Sequence, residues 1–402
     1  MPLRGRGRPR LTEDARRLLA VQALRAFVYG LGSVLVGLSL ERAGLSGVEV
    51  GGVLAALLAG SALASVLLAR YGDRVGRRRA YRVLLLAMGG AGAVFALTSW
   101  PPALVLAALT GTVSVDVLES GPFTTLEQAM LPQAGAEHDR TRLFGAYNTV
   151  AALAGSLGAL AAGGAGLAGR SAPALADSQR WLLAYPVAAA CALVVAARLS
   201  PAMEAPATPS GPTQRLERSR GIVLRLSGLF ALDSFAGGFV VQAFIAFWLA
   251  RRFGASEELL GPVFFGIGLL QALSFQAAVR LAGRIGLLRT MVFTHLPSNV
   301  LLAAVPLAPS LPAAIGLLLA RFALSQMDVP ARQAYVVGVV DPSERTVAAA
   351  YTNAARTAAR PLAPLVAGAL LSGALGAPFV IAGALKGAYD LVLYATFRRV
   401  EP

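Results

Sequence analysis

Cysteine is nearly missing from this chain of 402 residues: Cys191 stands alone, so no intrachain disulfide can form. Histidine is almost as scarce. His138 and His295 have no second ligand at metal-binding spacing, and both are expected to be structural. Lys386 is the only lysine among 36 basic residues, a bias that reads as genome composition. Charged residues make up 14% of the chain, well below the roughly 25% usual in soluble domains. No phosphate-cradling glycine loop, nucleophile elbow or metal cluster is found, so hydrolysis and ATP-driven work have nothing to act through. No enzymatic activity and no cofactor are expected, and any energy for work must come from a gradient.

What remains is apolar. Hydrophobic residues account for 56% of the chain, gathered in runs near 18–41, 47–69, 80–99, 103–131, 142–168 and 180–199. Six more lie near 222–250, 257–280, 290–308, 312–340, 346–372 and 377–397. Each is close to the twenty or so residues that span a bilayer as a helix, which predicts an all-α membrane protein with twelve crossings. The segment 200–221 carries Pro201, Pro206, Pro209 and Pro212 and is too polar to cross, so it separates a half at 1–199 from a half at 222–402. The first run, 18–40, is too long for a signal peptide and contains Arg25, which predicts a retained first helix.

The net charge of +15 would suit nucleic acid if it lay on one soluble face, but the arginines sit in short gaps between apolar runs, so no nucleic-acid partner is expected. With both termini on one side, that side holds 24 basic residues and the other five, which orients both termini to the cytoplasm of a cell membrane, the inner one. The halves also repeat. At a shift of 210, Gly44, Ser46, Gly51, Arg70, Arg74, Gly76 and Arg79 fall on Gly254, Ser256, Gly261, Arg280, Arg284, Gly286 and Arg289. At a shift of 205, Arg140, Thr141, Asn148 and Gly163 fall on Arg345, Thr346, Asn353 and Gly368. A duplicated six-helix unit is the pattern of secondary transporters.

Between the second and third runs stands Gly72-Asp73-Arg74-Val75-Gly76-Arg77-Arg78. In a twelve-helix chain with a central linker, this stretch resembles the loop motif of the major facilitator superfamily. The match is good from Asp73 onward and departs at the front, where Ala69 stands in place of the family's leading glycine. The resemblance implies two pseudo-symmetric six-helix bundles, with helices 1, 4, 7 and 10 lining a cavity. It also implies that Asp73 meets the cytoplasmic end of helix 11, near 343–347, and locks the outward-facing state. Gly72, Asp73, Arg74, Gly76 and Arg77 are accordingly expected to act as a conformational latch. The helix 4 arginine usual in proton-coupled members is absent; Val117 takes its place. Gly155-Ser156-Leu157-Gly158 and Gly163-Gly164 on helix 5 resemble the exporters' small-residue pattern without its proline, and generic helix packing explains them equally well.

A charge in the hydrocarbon costs at least about 2.5–3.5 kcal/mol on insertion scales, so each one kept there needs a partner or a task. Asp116 and Glu119, three apart on helix 4, repel one another and can hold a proton near neutrality, or can be neutralised by Arg25. Asp233 lies midway along helix 7 beside Gly237 and Gly238. Arg321, Asp328 and Arg332 share a stripe of helix 10, with Pro330 as a candidate kink. Arg356 and Arg360 on helix 11 require acids or anions, Lys386 and Asp390 form an i,i+4 pair on helix 12, and Glu127 suits a structural or gating role.

Two transport readings follow. In the first, Asp116, Glu119 and Asp233 couple protons to the alternating-access movement of a small organic solute, with export of amphipathic compounds favoured; Arg25, Arg321, Asp328 and Arg360 are the expected substrate contacts. In the second, Arg25, Arg321, Arg356 and Arg360 bind an anionic metabolite. A receptor or scaffold on the same fold would need a partner-binding surface, and the short loops offer little. The expected partners are a small-molecule solute, protons and membrane lipid, and the expected state is a monomer.

Overall fold

The computed structural model describes residues 11–114, 121–134, 140–171, 177–204, 216–341, 344–371 and 373–400. Among these the regular structure is helical. The first half contains α1 (Glu13–Arg42), α2 (Gly47–Val75), α3 (Arg77–Leu97), α4 (Pro101–Ala108), α5 (Pro122–Met130), α6 (Arg140–Ser171) and α7 (Ala184–Ala197). The second contains α8 (Arg220–Gly238), α9 (Gln242–Phe253), α10 (Glu257–Ile285), α11 (Leu287–Ala304), α12 (Leu311–Ser325), α13 (Asp328–Gly338), α14 (Arg345–Ala359), α15 (Leu362–Leu370) and α16 (Ala377–Phe397). The twelve runs read from the sequence map onto these in order, and each half follows the expected six-crossing plan.

Nine helices among the described residues are long and apolar enough to cross a membrane, counting α8 and α9 as one. The other three crossings are each represented among the described residues by two shorter helices, and the seventh too is interrupted, at 239–241. The fourth is represented by α4 and α5, the tenth by α12 and α13, and the eleventh by α14 and α15. Proline explains where two of these pieces meet or begin: Pro361 removes a helical N–H between α14 and α15, and Pro122 opens α5. Pro330 marks a full break, beyond the kink expected of it: its ring crowds the carbonyl four residues back, that of Gln326, where the tenth crossing is interrupted. The tenth crossing breaks at Gln326 and Met327, and Pro330 sits in the first turn of α13, where its missing N–H leaves no helical bond unmade.

The helix ends are set locally. Ser46 and Glu49 form a reciprocal capping box at the start of α2. The turn from α2 to α3 passes through Gly76 at φ 92°, and its repeat mate between α10 and α11 through Gly286 at φ 87°, conformations that L side chains rarely adopt. These two glycines let each half fold back over a single-residue link, so the basic loop is short by construction.

The halves meet through α6 against α10, α2 against α15 and α1 against α9. Small residues bring the backbones together: a methyl group on Gly37, Gly47 or Gly51 would collide with the backbone of Ala243, Gly368 or Pro364. All three lie toward the face opposite the chain termini. At the terminal face α5 and α13 make no extended contact with each other. Among the described residues the halves are therefore joined at the far face and, between α5 and α13, parted at the terminal face.

Candidate functional site

Two buried charge centres lie inside the bundle, one in each half. In the first, Arg25 of α1 donates to Glu127 of α5 at 2.6 Å, both side chains being almost wholly removed from solvent. Tyr81 donates to the other carboxylate oxygen at 2.6 Å, and Tyr147 donates to the oxygen shared with Arg25. Gln22 accepts a further bond from the guanidinium, which also lies over the rings of Tyr29 and Phe123 at 5.2 and 5.0 Å. Arg25 is thus engaged by its own half through one terminal nitrogen and two aromatic rings, while its buried Nε has no hydrogen-bond partner. Asp116 and Glu119 lie outside the described residues.

The second centre is larger. Asp233 of α8 accepts from Lys386 of α16 at 2.6 Å and from Arg356 of α14 at 2.9 Å. Arg332 of α13 approaches it to 3.7 Å and His295 of α11 to 4.0 Å. Arg332 is held in turn by Asp328 at 2.6 Å. Nδ1 of His295 lies 3.0 Å from Asp390, whose other oxygen accepts from Asn299 at 2.8 Å. Five helices therefore converge on one carboxylate and its neighbours. Three acids and three obligate cations balance, leaving the charge of His295 to decide the sign of the whole.

The local fold explains the convergence. Gly238 ends α8 against the Arg360 carbonyl and Ala363, which brings the break in the seventh crossing against the break in the eleventh. That contact sets Asp233 at the height of Arg356, one turn before Arg360. Gly237 faces Lys386 at ordinary van der Waals distance, so the absence of a side chain there leaves room for the ammonium to pass.

Of the residues singled out in the sequence, Asp233, Asp328, Arg332 and Arg356 are brought into one cluster. Arg321 lies on α12, its guanidinium 4.3 Å from the centre of the Phe322 ring and its carbonyl accepting from Ser298. Arg360 is half-buried at the end of α14. Lys386 and Asp390 do not bond to each other as the i,i+4 reading expects: Lys386 turns to Asp233, and Asp390 to His295 and Asn299. A buried carboxylate with several donors outcompetes a single-helix pair. The sequence reading missed His295, Asn299, Lys386 and Asp390 as members of a centre. One signal was available: a chain that writes its cations as arginine everywhere else keeps its one ammonium here.

The basic loop is tied to its own half. Asp73 pairs with Arg77 at 2.7 Å, while Arg77 donates to the Ala129 carbonyl at 3.0 Å. Glu204, just after the sixth crossing, accepts from the backbone N–H of Arg77 at 2.6 Å and of Arg78 at 3.3 Å, covering the start of α3. A counterpart clasp serves the second half: Glu344 accepts from the backbone N–H groups of Glu217, Arg218 and Ser219 at 2.7, 2.9 and 2.8 Å. Those three donors pull the Glu344 carboxyl down to about 2. At the far face, neighbouring residues of α1 reach across the halves, Glu41 to Arg251 at 3.8 Å and Arg42 to Glu257.

The comparisons agree with this architecture. An uncharacterized membrane protein of Saccharomyces cerevisiae, YJR124C, is 26% identical over 426 aligned positions, which take in 97% of this chain and 95% of the relative. Among solved structures, the nucleoside transporter NupG superposes with a TM-score of 0.74 at 15% identity, covering 96% of this chain and 99% of that one. A D-xylose-proton symporter gives 0.74 at 15% identity, covering 96% and 98%. At such identities the likeness is one of fold. The sequence profile described as Major Facilitator Superfamily matches residues 18–311, most of the chain. With its duplicated halves, its loop of Asp73 to Arg78 and its charged interior, the chain belongs to the Major Facilitator Superfamily, whose members carry solutes across membranes.

Proposed function

We propose that this protein is a proton-coupled secondary transporter of a small organic solute, working by alternating access as a monomer in the cell membrane with both termini in the cytoplasm. Coupling is assigned to the second half, at Asp233. The observation that carries the assignment is the competition of Lys386, Arg356, Arg332 and His295 for that one buried carboxylate. A carboxylate with more suitors than oxygens changes partners at small energetic cost, which a transport cycle needs. Arg25 is left as a fixed element of the first half. The glycines of α6 that resemble an exporter pattern are used in packing, Gly155 against Gly30 and Gly158 against Phe27, and so lend export of amphipathic compounds no separate support.

The latch reading of Gly72, Asp73, Arg74, Gly76 and Arg77 fits this cycle. With the terminal face parted, Asp73 is occupied by Arg77 and turns to the eleventh crossing only when that face closes. The test is flux into proteoliposomes of a solute found by thermal-shift screening, driven by an imposed pH gradient. The wild type accumulates the solute and stops when a protonophore is added. Asp233→Asn keeps solute exchange across the membrane but loses accumulation. Gradient-driven accumulation by Asp233→Asn at the wild-type level would overturn the assignment.

A further inference from the structure

The charge count of the second centre points to what it carries. Asp233, Asp328 and Asp390 supply three negative charges, Arg332, Arg356 and Lys386 three positive ones, and His295 is the remaining group, charged only when both its ring nitrogens hold a proton. An uncompensated charge inside a membrane protein is costly. A proton taken up by this cluster therefore calls for a negative charge to accompany it.

The geometry says where each goes. The Asp390 carboxylate can only accept, so Nδ1 of His295 carries the hydrogen of that 3.0 Å bond. Nε2 is then the basic nitrogen, and it faces the Asp233 carboxylate across 4.0 Å. A proton on Nε2 turns the imidazole into a bridge between two carboxylates and gives Asp233 a new cation. It would be held at the Asp233 oxygen that Lys386 already occupies, on the side away from Arg356. Arg356 bonds the other oxygen. Its side chain is 25% exposed, whereas those of Arg332 and Lys386 are 10% and 9% exposed. Arg332 is also retained by Asp328. Arg356 is thus the cation both least bound and most reachable from the parted terminal face.

The groups facing His295 are Lys386, Tyr389 and Asp390 on α16, Asp233 on α8, Arg332 and Asp328 on α13, Arg356 on α14 and, past Ser298, Arg321 on α12. The charges of α10 lie near its two ends, at Glu257, Glu258, Arg280 and Arg284.

We propose that this centre loads one proton and one carboxylate monoanion together, the proton on Nε2 of His295 and the carboxylate on the guanidinium of Arg356. The loaded cluster is neutral again, and the planar fork of arginine matches a carboxylate in two parallel bonds. A dianion would leave the centre one charge in excess, so sulfate is rejected, and so is the doubly charged form of phosphate. The inference rests on the transporter reading and adds to it the substrate class and the proton site.

The experiment is thermal stabilisation of the purified full-length protein by matched pairs, acetate with acetamide, lactate with lactamide and benzoate with benzamide, and by phosphate and sulfate, at pH 5.5, 6.5 and 7.5. Proton uptake on anion addition is measured in weakly buffered solution. At least one carboxylate is expected to stabilise the protein while its amide does not, more strongly at pH 5.5 than at pH 7.5, with close to one proton taken up per anion bound. Arg356→Gln abolishes the response at every pH, and His295→Gln removes its pH dependence and the proton uptake. Equal binding of acid and amide, no carboxylate response at all, preference for the dianions, or a pH dependence surviving in His295→Gln would each overturn the proposal. Were gradient-driven flux to remain in that event, the anion assignment alone would fall. Loss of gradient dependence in the wild type would instead remove the coupling reading beneath it.

Discussion

The two buried charge centres solve the same problem in opposite ways. In the first half Arg25 and Glu127 form a local set, with Tyr81, Tyr147 and Gln22 bonded to them and the Nε of Arg25 left without a partner. In the second half Asp233 is shared among cations of different helices, of which Arg332 also pairs with Asp328 and Arg356 is partly exposed. A local pair rigidifies the helices it joins, whereas a shared one can be rewired. The duplicated halves thus hold a pair of local partners in one and a shared carboxylate in the other, although their helices follow one plan.

Glu127→Gln should give the largest effect. Removing one member of a buried pair costs about 3–5 kcal/mol, so the variant should lose most of its folded yield in detergent, and Arg25→Met added to Glu127→Leu should restore much of it. If Glu127→Gln melted like the wild type, the first centre would not be such a pair. Asp233→Asn should be less damaging, on the order of 3 kcal/mol, because the remaining acids still hold part of the cationic set. Here either Lys386→Met or Arg356→Met should rescue stability, as expected of a shared carboxylate. Rescue by one cation alone would make the second centre a simple pair after all.

Smaller effects are expected at the faces. Arg42 is about half exposed, so its bond to Glu257 contributes at most about 1 kcal/mol. Glu257→Gln should widen the far face in spin-label distance distributions by shifting the population of states no more than about fivefold. The smallest concerns the Glu344 clasp. Its carboxyl titrates lower in the folded protein than in the unfolded chain, so its contribution is complete above about pH 4.3 and is lost as the pH falls toward about 2. Glu344→Gln should accordingly melt below the wild type by a constant interval from pH 8 to pH 5, and the interval should narrow in stronger acid.

Much of the fold was legible in the sequence because bilayer thickness imposes a length on every crossing and the repeat doubles each signal. Gly76 and Gly286, matched at a shift of 210, proved to be paired turns with positive φ. The breaks in the tenth and eleventh crossings were less legible. A run such as 312–340 reads as one apolar span, and the interruption at Gln326 and Met327, one turn before Pro330, is a full break where the sequence marks only a kink. The site was legible as a set of costly charges but not as a set of pairs. Asp233 is 123 residues from Arg356 and 153 from Lys386, so spacing along one helix carried no information about either contact and favoured the wrong partner for Lys386.

That separation along the chain has a bearing on biogenesis. The seventh crossing leaves the ribosome with Asp233 in its middle well before any of its cations has been synthesised, and its last partner arrives with the twelfth. Until then the carboxylate carries the insertion penalty of about 2.5–3.5 kcal/mol unrelieved. The second half can therefore be retained at the insertion machinery, or protected by an intramembrane chaperone, until Lys386 has entered. A nascent chain stopped short of that residue leaves the Asp233 carboxylate with one cation fewer.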